Sequence, residues 1–398
     1  MTRVVVTGLG AVSPYGVGVR ALWHGLTAGE CVIRPIGLFE TEGFRSRIAA
    51  EVPPGAAAAL SASRRRSRAD RFALAAARQA VGDAGLSPAQ RASAGLIVGA
   101  VGGGMLEAEA WYWGLHRGRE DPRRRAALRS LLPLSHAEVV AERLGLGGPK
   151  ETLVMACASG SAPLALGADL IVDGAAPLVL AGGVDALTRI CFMGFNALKL
   201  LDPNPCRPFD RERRGMSLGE GAAFLVLEAL DHALARDARP HAELLSAGMS
   251  TDAFHLTAPQ PDADGMIRAM AEALARGGVD AGDVGYVNAH GTGTPQNDRT
   301  EALALTKVLG KTGLLVSSNK SLIGHTMAAA GALEAVATVL TLRDQVVPPT
   351  AHLDHPDPDI PFDCVPHIAR RASVAVAMSN SFGFGGQNVS LLFRRWDA

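Results

Sequence analysis

The order of short elements along this chain repeats. A helix-like run from Arg71 to Gly82 closes on Asp83-Ala84-Gly85-Leu86, is followed by the apolar run Ala94 to Gly99, and opens into Gly102-Gly103-Gly104. About 190 residues later, Met266 to Arg276 closes on Gly277-Gly278-Val279-Asp280, and the apolar run Val284 to Ala289 opens into His290-Gly291-Thr292-Gly293. Helix-turn-strand units recur by chance in α/β proteins, but this order at one offset points to two similar halves, 1–240 and 241–398, with a boundary near His241. Strands alternating with helices through the whole length predict an α/β fold with parallel sheets covered on both faces. Residues 103–150, with Arg123-Arg124-Arg125, and 190–215, with Pro203, Pro205 and Pro208, fit the repeat poorly. They read as insertions on the first half, where binding surfaces tend to be built.

With 398 residues, 48% of them hydrophobic, the chain can bury a large core. Its 39 basic and 39 acidic side chains cancel, so no global field favours nucleic acid or an anionic membrane, and neither partner is expected. No uncharged apolar stretch approaches the ~18–20 residues that span a bilayer. Thr2 to Thr7 reads as a buried strand and not as a secretory signal, so a cytoplasmic protein is expected. Cys31, Cys157, Cys191, Cys206 and Cys364 lie far apart with no C-x-x-C pair, which argues against a disulfide framework or a thiolate zinc site. His352-Leu353-Asp354-His355 has no third ligand nearby and reads as loop polarity, so no metal is expected. Gly8-Leu9-Gly10-Ala11-Val12-Ser13 approaches a dinucleotide-binding fingerprint, but its sixth position is serine and no acid follows at the right place on a second strand.

Four stretches carry chemistry. In Thr152 to Ser161 an apolar strand meets Cys157, then small residues, then the helical run Ala162 to Val172. A thiol at a helix amino terminus is favoured as thiolate, and small neighbours let a carbonyl reach backbone N–H groups; a buried core cysteine is the competing reading. His290 stands where an apolar strand ends in a loop, the edge of an α/β sheet at which ligands bind. Ser318-Asn319-Lys320-Ser321-Leu322-Ile323-Gly324-His325 precedes the small-residue helix Thr326 to Leu342, an arrangement suited to an enclosed site. Either histidine alone could be structural; with the cysteine they fit nucleophilic catalysis with two imidazole partners. The glycines of Ser379 to Asn388 permit close approach to a ligand or simply a tight turn.

In this order, the stretches around Cys157, His290, Lys320 with His325, and the Gly383-Phe384-Gly385-Gly386 turn strongly resemble the β-ketoacyl-acyl-carrier-protein synthases of the I/II type, including ketosynthase subunits of type II polyketide systems. The resemblance runs from Val4 to Phe393 and takes in Arg207-Pro208-Phe209-Asp210, Gly219-Glu220-Gly221, Asp252 to Thr257 and Pro348-Pro349-Thr350. It implies a thiolase-like fold, two similar halves stacked as a five-layered α-β-α-β-α body. It also implies decarboxylative Claisen condensation of a Cys-bound acyl group with malonyl-acyl-carrier protein. No cofactor is bound in such enzymes; phosphopantetheine arrives on the acyl carrier protein. The implied assembly is a homodimer, or a heterodimer with a non-catalytic, chain-length-factor-like subunit without which the ketosynthase is inactive.

The same resemblance implies the roles. Cys157 holds the acyl group, with N–H groups of Cys157 and Phe384 as the oxyanion hole. His290 and His325 bind the malonyl thioester carbonyl, Lys320 and Glu334 organise the site, and Glu301 is a further partner. Thr292 and Thr294 contact the pantetheine amides, Phe384 is a gate, and Thr257, Phe195, Phe382 and Gly385 are further substrate-binding positions. Arg64 and Arg68, beside Arg65 and Arg66, together with Lys199, are candidates for docking an acidic carrier protein. A thiolase would need a second cysteine within Ser381 to Gly386, and initiating ketosynthases carry asparagine where His325 stands. The chain departs from the common pattern at Gln387 and at Met216-Ser217-Leu218. Those departures, and a basic set that is nearly all arginine, tilt the expectation towards specialised polyketide or modified fatty-acid synthesis.

Overall fold

The computed structural model describes residues 2–60, 66–119, 125–126, 128–310 and 314–397. Its first five long strands are β1 (Val4–Ser13), β2 (Gly95–Ala100), β3 (Lys150–Leu153), β4 (Leu178–Asp185) and β5 (Gly221–Ala229). The second five are β6 (Ala242–Thr251), β7 (Val284–Asn288), β8 (Leu315–Ser317), β9 (Val376–Gly383) and β10 (Gln387–Arg395). The helices that matter below are α1 (Arg68–Asp83), α2 (Met105–His116), α3 (Leu134–Leu144), α4 (Ala162–Val172), α5 (Arg189–Ala197), α6 (Asp264–Gly277), α7 (Pro295–Leu309) and α8 (Ala330–Asp344).

The ten strands form a continuous path that meets at a short antiparallel seam, where Val4, Val5 and Val6 face Leu244, Glu243 and Ala242. Outward from the seam the first set runs β1-β5-β4-β2-β3 and the second β6-β10-β9-β7-β8, the same order in each. The expected all-parallel sheets are corrected here. β2 is parallel to β3 and β4, and β7 to β8 and β9, but β5 and β10 are antiparallel to both of their neighbours. For β10 the reason is local: the turn between Gly383 and Gln387 is too short for a crossover, so it makes a hairpin with β9.

The elements stack in five layers. α1 and α3 cover the outer face of the first sheet, α6 covers the outer face of the second with α7 beside it, and α4 and α8 touch strands of both sheets from between them. Three hydrophobic clusters fill the spaces between layers. α8 is buried on every side from Ala330 to Leu342 and is mostly apolar there, as a helix sandwiched by two sheets must be, with Glu334 its one buried charge. The outer packing repeats too. Gly10 on β1 lies so close to α1 that a Cβ there would sit 1.9 Å from the Ala76 carbonyl oxygen, and Gly248 on β6 stands in the same relation to Ala269 on α6.

α1 starts where Ser67 and Asp70 form a reciprocal capping box. Its first residue, Arg68, does not reach solvent, which overturns its assignment to carrier docking. The guanidinium is buried, donates to both carboxylate oxygens of Glu220 at 2.8 and 2.5 Å and to the Val52 carbonyl at 3.0 Å, and lies over the Phe72 ring. Glu220 also accepts the N–H groups of Val52 and Leu187, so the pair ties three segments together. Removing one partner of a buried ion pair strands the other charge. Arg68→Ala is therefore expected to lower stability by about 3–5 kcal/mol, measured by urea unfolding.

Candidate active site

Cys157 lies in a 3₁₀ turn, Ala156–Gly160, inserted between β3 and α4. Ala156 carries φ 45°, a left-handed conformation that a residue with a Cβ adopts only under constraint. Ser159 supplies it: its hydroxyl accepts from the Met155 N–H and donates to the Ala156 carbonyl, both at 2.8 Å. The N–H groups of Cys157 and Phe384 both face the sulfur and stabilise its anion, as does the Lys320 charge. Burial is nevertheless the largest influence and pushes the thiol up to about 11, so the expectation of a resting thiolate is corrected.

His290 follows β7, and its loop is pinned by Glu301 on α7, whose carboxylate accepts the N–H groups of His290 and Gly291 at 2.8 Å each. His325 follows a short helix, Lys320–Ile323, and its Nδ1 accepts the Met327 N–H at 3.1 Å. A neutral ring that accepts at Nδ1 carries its proton on Nε2, and that Nε2 is buried with no hydrogen-bond partner among the described residues. It is a donor held ready for a guest. The two imidazoles stand edge to face with centroids 5.4 Å apart, and the Cys157 sulfur and one nitrogen of each ring lie within 4.8 Å of one another.

Lys320 and Glu334, the latter on α8, form a fully enclosed pair at 2.5 Å. Burial first, and then the Lys320 charge, hold both histidines well below the usual imidazole range. Burial drives Glu334 upward, and the ammonium opposes it. Removing the lysine charge should raise both histidines, since nothing then opposes their cations except burial and each other. In a ¹³C-histidine NMR titration, Lys320→Met should move both midpoints towards ~6.5; unmoved midpoints would mean that burial alone sets them. Cys157, His290 and His325 are spaced so that they could hold a metal ion, but the adjacent Lys320 ammonium opposes a dication.

A cavity of about 50 Å³ opens from this cluster and is lined by Cys157, His290, His325, Thr257, Thr292, Thr294, Phe382 and Phe384. One water needs about 10–15 Å³, so a space of this size is small beside an acyl chain. Two expected contacts do not reach the cavity. Phe195 packs against Phe384 with tilted rings, centroids 5.7 Å apart, and Gly385 donates its N–H to the Leu256 carbonyl, tying this turn to the 252–257 loop. Lys199 is exposed, while Arg64 lies outside the described residues. Sequence reasoning missed Asp298, which holds the loop carrying Thr292 and Thr294 by accepting the N–H groups of Gly293 and Phe209. It also missed Asp185, treated below; neither acid stands in a motif that announces a role.

Comparison with known families places this geometry. Residues 1–233 match the β-ketoacyl synthase N-terminal domain, and residues 241–354 match the β-ketoacyl synthase C-terminal domain. The chain belongs to the β-ketoacyl synthase family. It is 40% identical to 3-oxoacyl-[acyl-carrier-protein] synthase 2 of Rhizobium meliloti (strain 1021), over 100% of this chain and 99% of the relative. The ishigamide ketosynthase/chain length factor structure superposes with a TM-score of 0.94 at 37% identity, covering both chains completely. A type II PKS acyl-carrier protein in complex with its ketosynthase bound to the hexaketide gives 0.89 at 31% identity, again over both whole chains. The five-layered β-ketoacyl synthase body and the thiolase-like fold are thus one architecture here, and this chain is an acyltransferase-class ketosynthase.

Proposed function

We propose that this protein is a β-ketoacyl-acyl-carrier-protein synthase in which Cys157 accepts an acyl group and His290 and His325 drive decarboxylation of malonyl-acyl-carrier protein. The observation that carries this reading is the enclosed convergence of one thiol and two neutral imidazoles. The Cys157 thiol gives up its proton as its sulfur attacks the acyl thioester, the N–H groups of Cys157 and Phe384 hold the oxyanion, and as the intermediate collapses the carrier's pantetheine sulfur leaves and takes up a proton as the thiol. The malonyl thioester carbonyl then accepts hydrogen bonds from the imidazoles. Carbon dioxide leaves, and the enolate carbon attacks the acyl-Cys157 carbonyl, forming the new C–C bond and expelling the sulfur. Lys320 and Glu334 set the charge of the site. Thr292 and Thr294 stand at the cavity wall, where the pantetheine amides would pass.

We assign docking of the acidic carrier to Lys199 and its neighbour Arg45, both exposed, with Arg64. A dimer would cover α2, which has no buried residue and exposes Tyr112, Trp113 and Leu115 beside Ile190 and Met193 of α5. The intact set of Cys157, both histidines and Lys320 fits the catalytic subunit of either assembly, and identity to 3-oxoacyl-[acyl-carrier-protein] synthase 2 over the whole chain supports a protein active without a chain-length-factor-like partner. Likeness to a type II PKS ketosynthase and to a ketosynthase/chain length factor structure supports specialised polyketide synthesis over housekeeping elongation. Among the described residues no helix is long and apolar enough to cross a membrane, which is compatible with work in the cytoplasm. The test is intact-protein mass spectrometry with a panel of acyl-carrier proteins: an acyl adduct should appear and then vanish, with β-ketoacyl product, on addition of malonyl-carrier protein. An adduct that malonyl-carrier protein never discharges would reject condensation.

A further inference from the structure

The turn after His325 is held by a carboxylate from the other half of the chain. Asp185 ends β4 and is buried. Its Oδ2 accepts the N–H of Ala328 at 3.1 Å, and its Oδ1 accepts the N–H groups of Gly102 and Gly103 at 2.7 and 3.1 Å. Ala328 directly follows Met327, the residue whose N–H fixes the His325 tautomer, and Met327 itself is in the left-handed region at φ 55°. The same residue is wedged against the nucleophile turn. A Cβ on Gly160 would stand 2.6 Å from the Ala328 carbonyl oxygen, and one on Gly183 would stand 2.1 Å from it. The Ala328 backbone is therefore held at its N–H by Asp185 and crowded at its carbonyl by the two glycines, one of which lies in the Cys157 turn.

We propose that Asp185 is a positioning residue for decarboxylation, setting the His325 Nε2 donor relative to Cys157 through the Met327-Ala328 turn. A carboxylate is suited to this place because it alone among the short side chains has two acceptor oxygens, one for each side of the clamp. Burial raises the Asp185 carboxyl to about 6, and three N–H donors and nearby His136 hold it down, so it faces a donor-rich pocket. Its second grip is on the glycine loop that opens α2, so the exposed apolar helix and the histidine turn share one carboxylate. The inference rests on the reading of His325 as a malonyl-binding residue.

The test separates the two half-reactions in Asp185→Asn. The amide offers one acceptor oxygen and turns an N–H towards a backbone N–H, so one side of the clamp opens. Malonyl-carrier decarboxylation should lose at least about tenfold in kcat with little change in KM, while transfer of an acyl group to Cys157 stays within about threefold of wild type. A stably folded Asp185→Asn with normal decarboxylation, or with both half-reactions depressed alike, overturns the proposal. If that variant does not fold, Gly102→Ala serves instead: its Cβ would meet Asp185 Oδ1 at 2.9 Å, disturbing the carboxylate from the side away from His325. The same selective loss is expected, and its absence in folded protein is equally fatal. His325→Ala run in parallel keeps the layers apart. If it decarboxylates normally, the reading of His325 has failed; if it is inactive while both other variants are normal, only the role of Asp185 has.

Discussion

Cys157→Ala is expected to show no mass increase with any acyl-carrier protein, and to lower condensation by at least about three orders of magnitude. The size of the effect follows from the geometry. Two backbone N–H groups and the Lys320 charge converge on one sulfur, and an oxyanion hole without a nucleophile has nothing to stabilise. Cys31, Cys191, Cys206 and Cys364 offer no replacement. The Cys206 thiol is buried and donates to the Lys320 carbonyl at 3.1 Å, and burial raises the other three thiols as well. Any Cys157→Ala adduct that survives a denaturing wash would mean that another residue is the nucleophile.

His290→Ala is expected to take up the acyl group at a near-normal rate and to lose decarboxylation by about 10²–10³, the range for removal of one preorganised donor to a developing oxyanion. The distinction is spatial. His290 sits on a loop held by Glu301 from α7, and none of the bonds that shape the Cys157 turn pass through it. Release of labelled carbon dioxide from malonyl-carrier protein measures the loss directly. Brisk release by this variant would remove His290 from the mechanism, whatever happened to overall condensation.

The reacting groups were legible in the sequence because Cys157 and His290 closely follow apolar runs and His325 precedes a small-residue helix, each a local pattern. The five layers were legible through the repeated order of elements joined to the family resemblance. The errors came from partners far away in the chain. Arg68 reads as part of an exposed arginine run until Glu220, 152 residues distant, takes up its guanidinium. The mixed strand directions follow from pairings that periodicity does not encode. Asp185 sits in an apolar strand where an acid looks like a strand terminus; its hold on the histidine turn is visible only once Ala328, 143 residues away, is seen to donate to it. The Cys157 thiol was misjudged because the sequence displays the turn but not the depth of burial that raises it.

The placement of α8 between the two sheets bears on how the protein is made. The Cys157 turn leans on Ala328 and Gly331, which leave the ribosome about 170 residues later. At about 5–20 residues per second, the nascent first half waits on the order of ten seconds or more with the inner face of its sheet and the apolar α4 uncovered. During that interval the catalytic cysteine has no enclosed site around it and the chain is open to self-association. Synthesis of this enzyme should therefore depend on chaperone occupancy of its first half more than the stability of the finished body would lead one to expect.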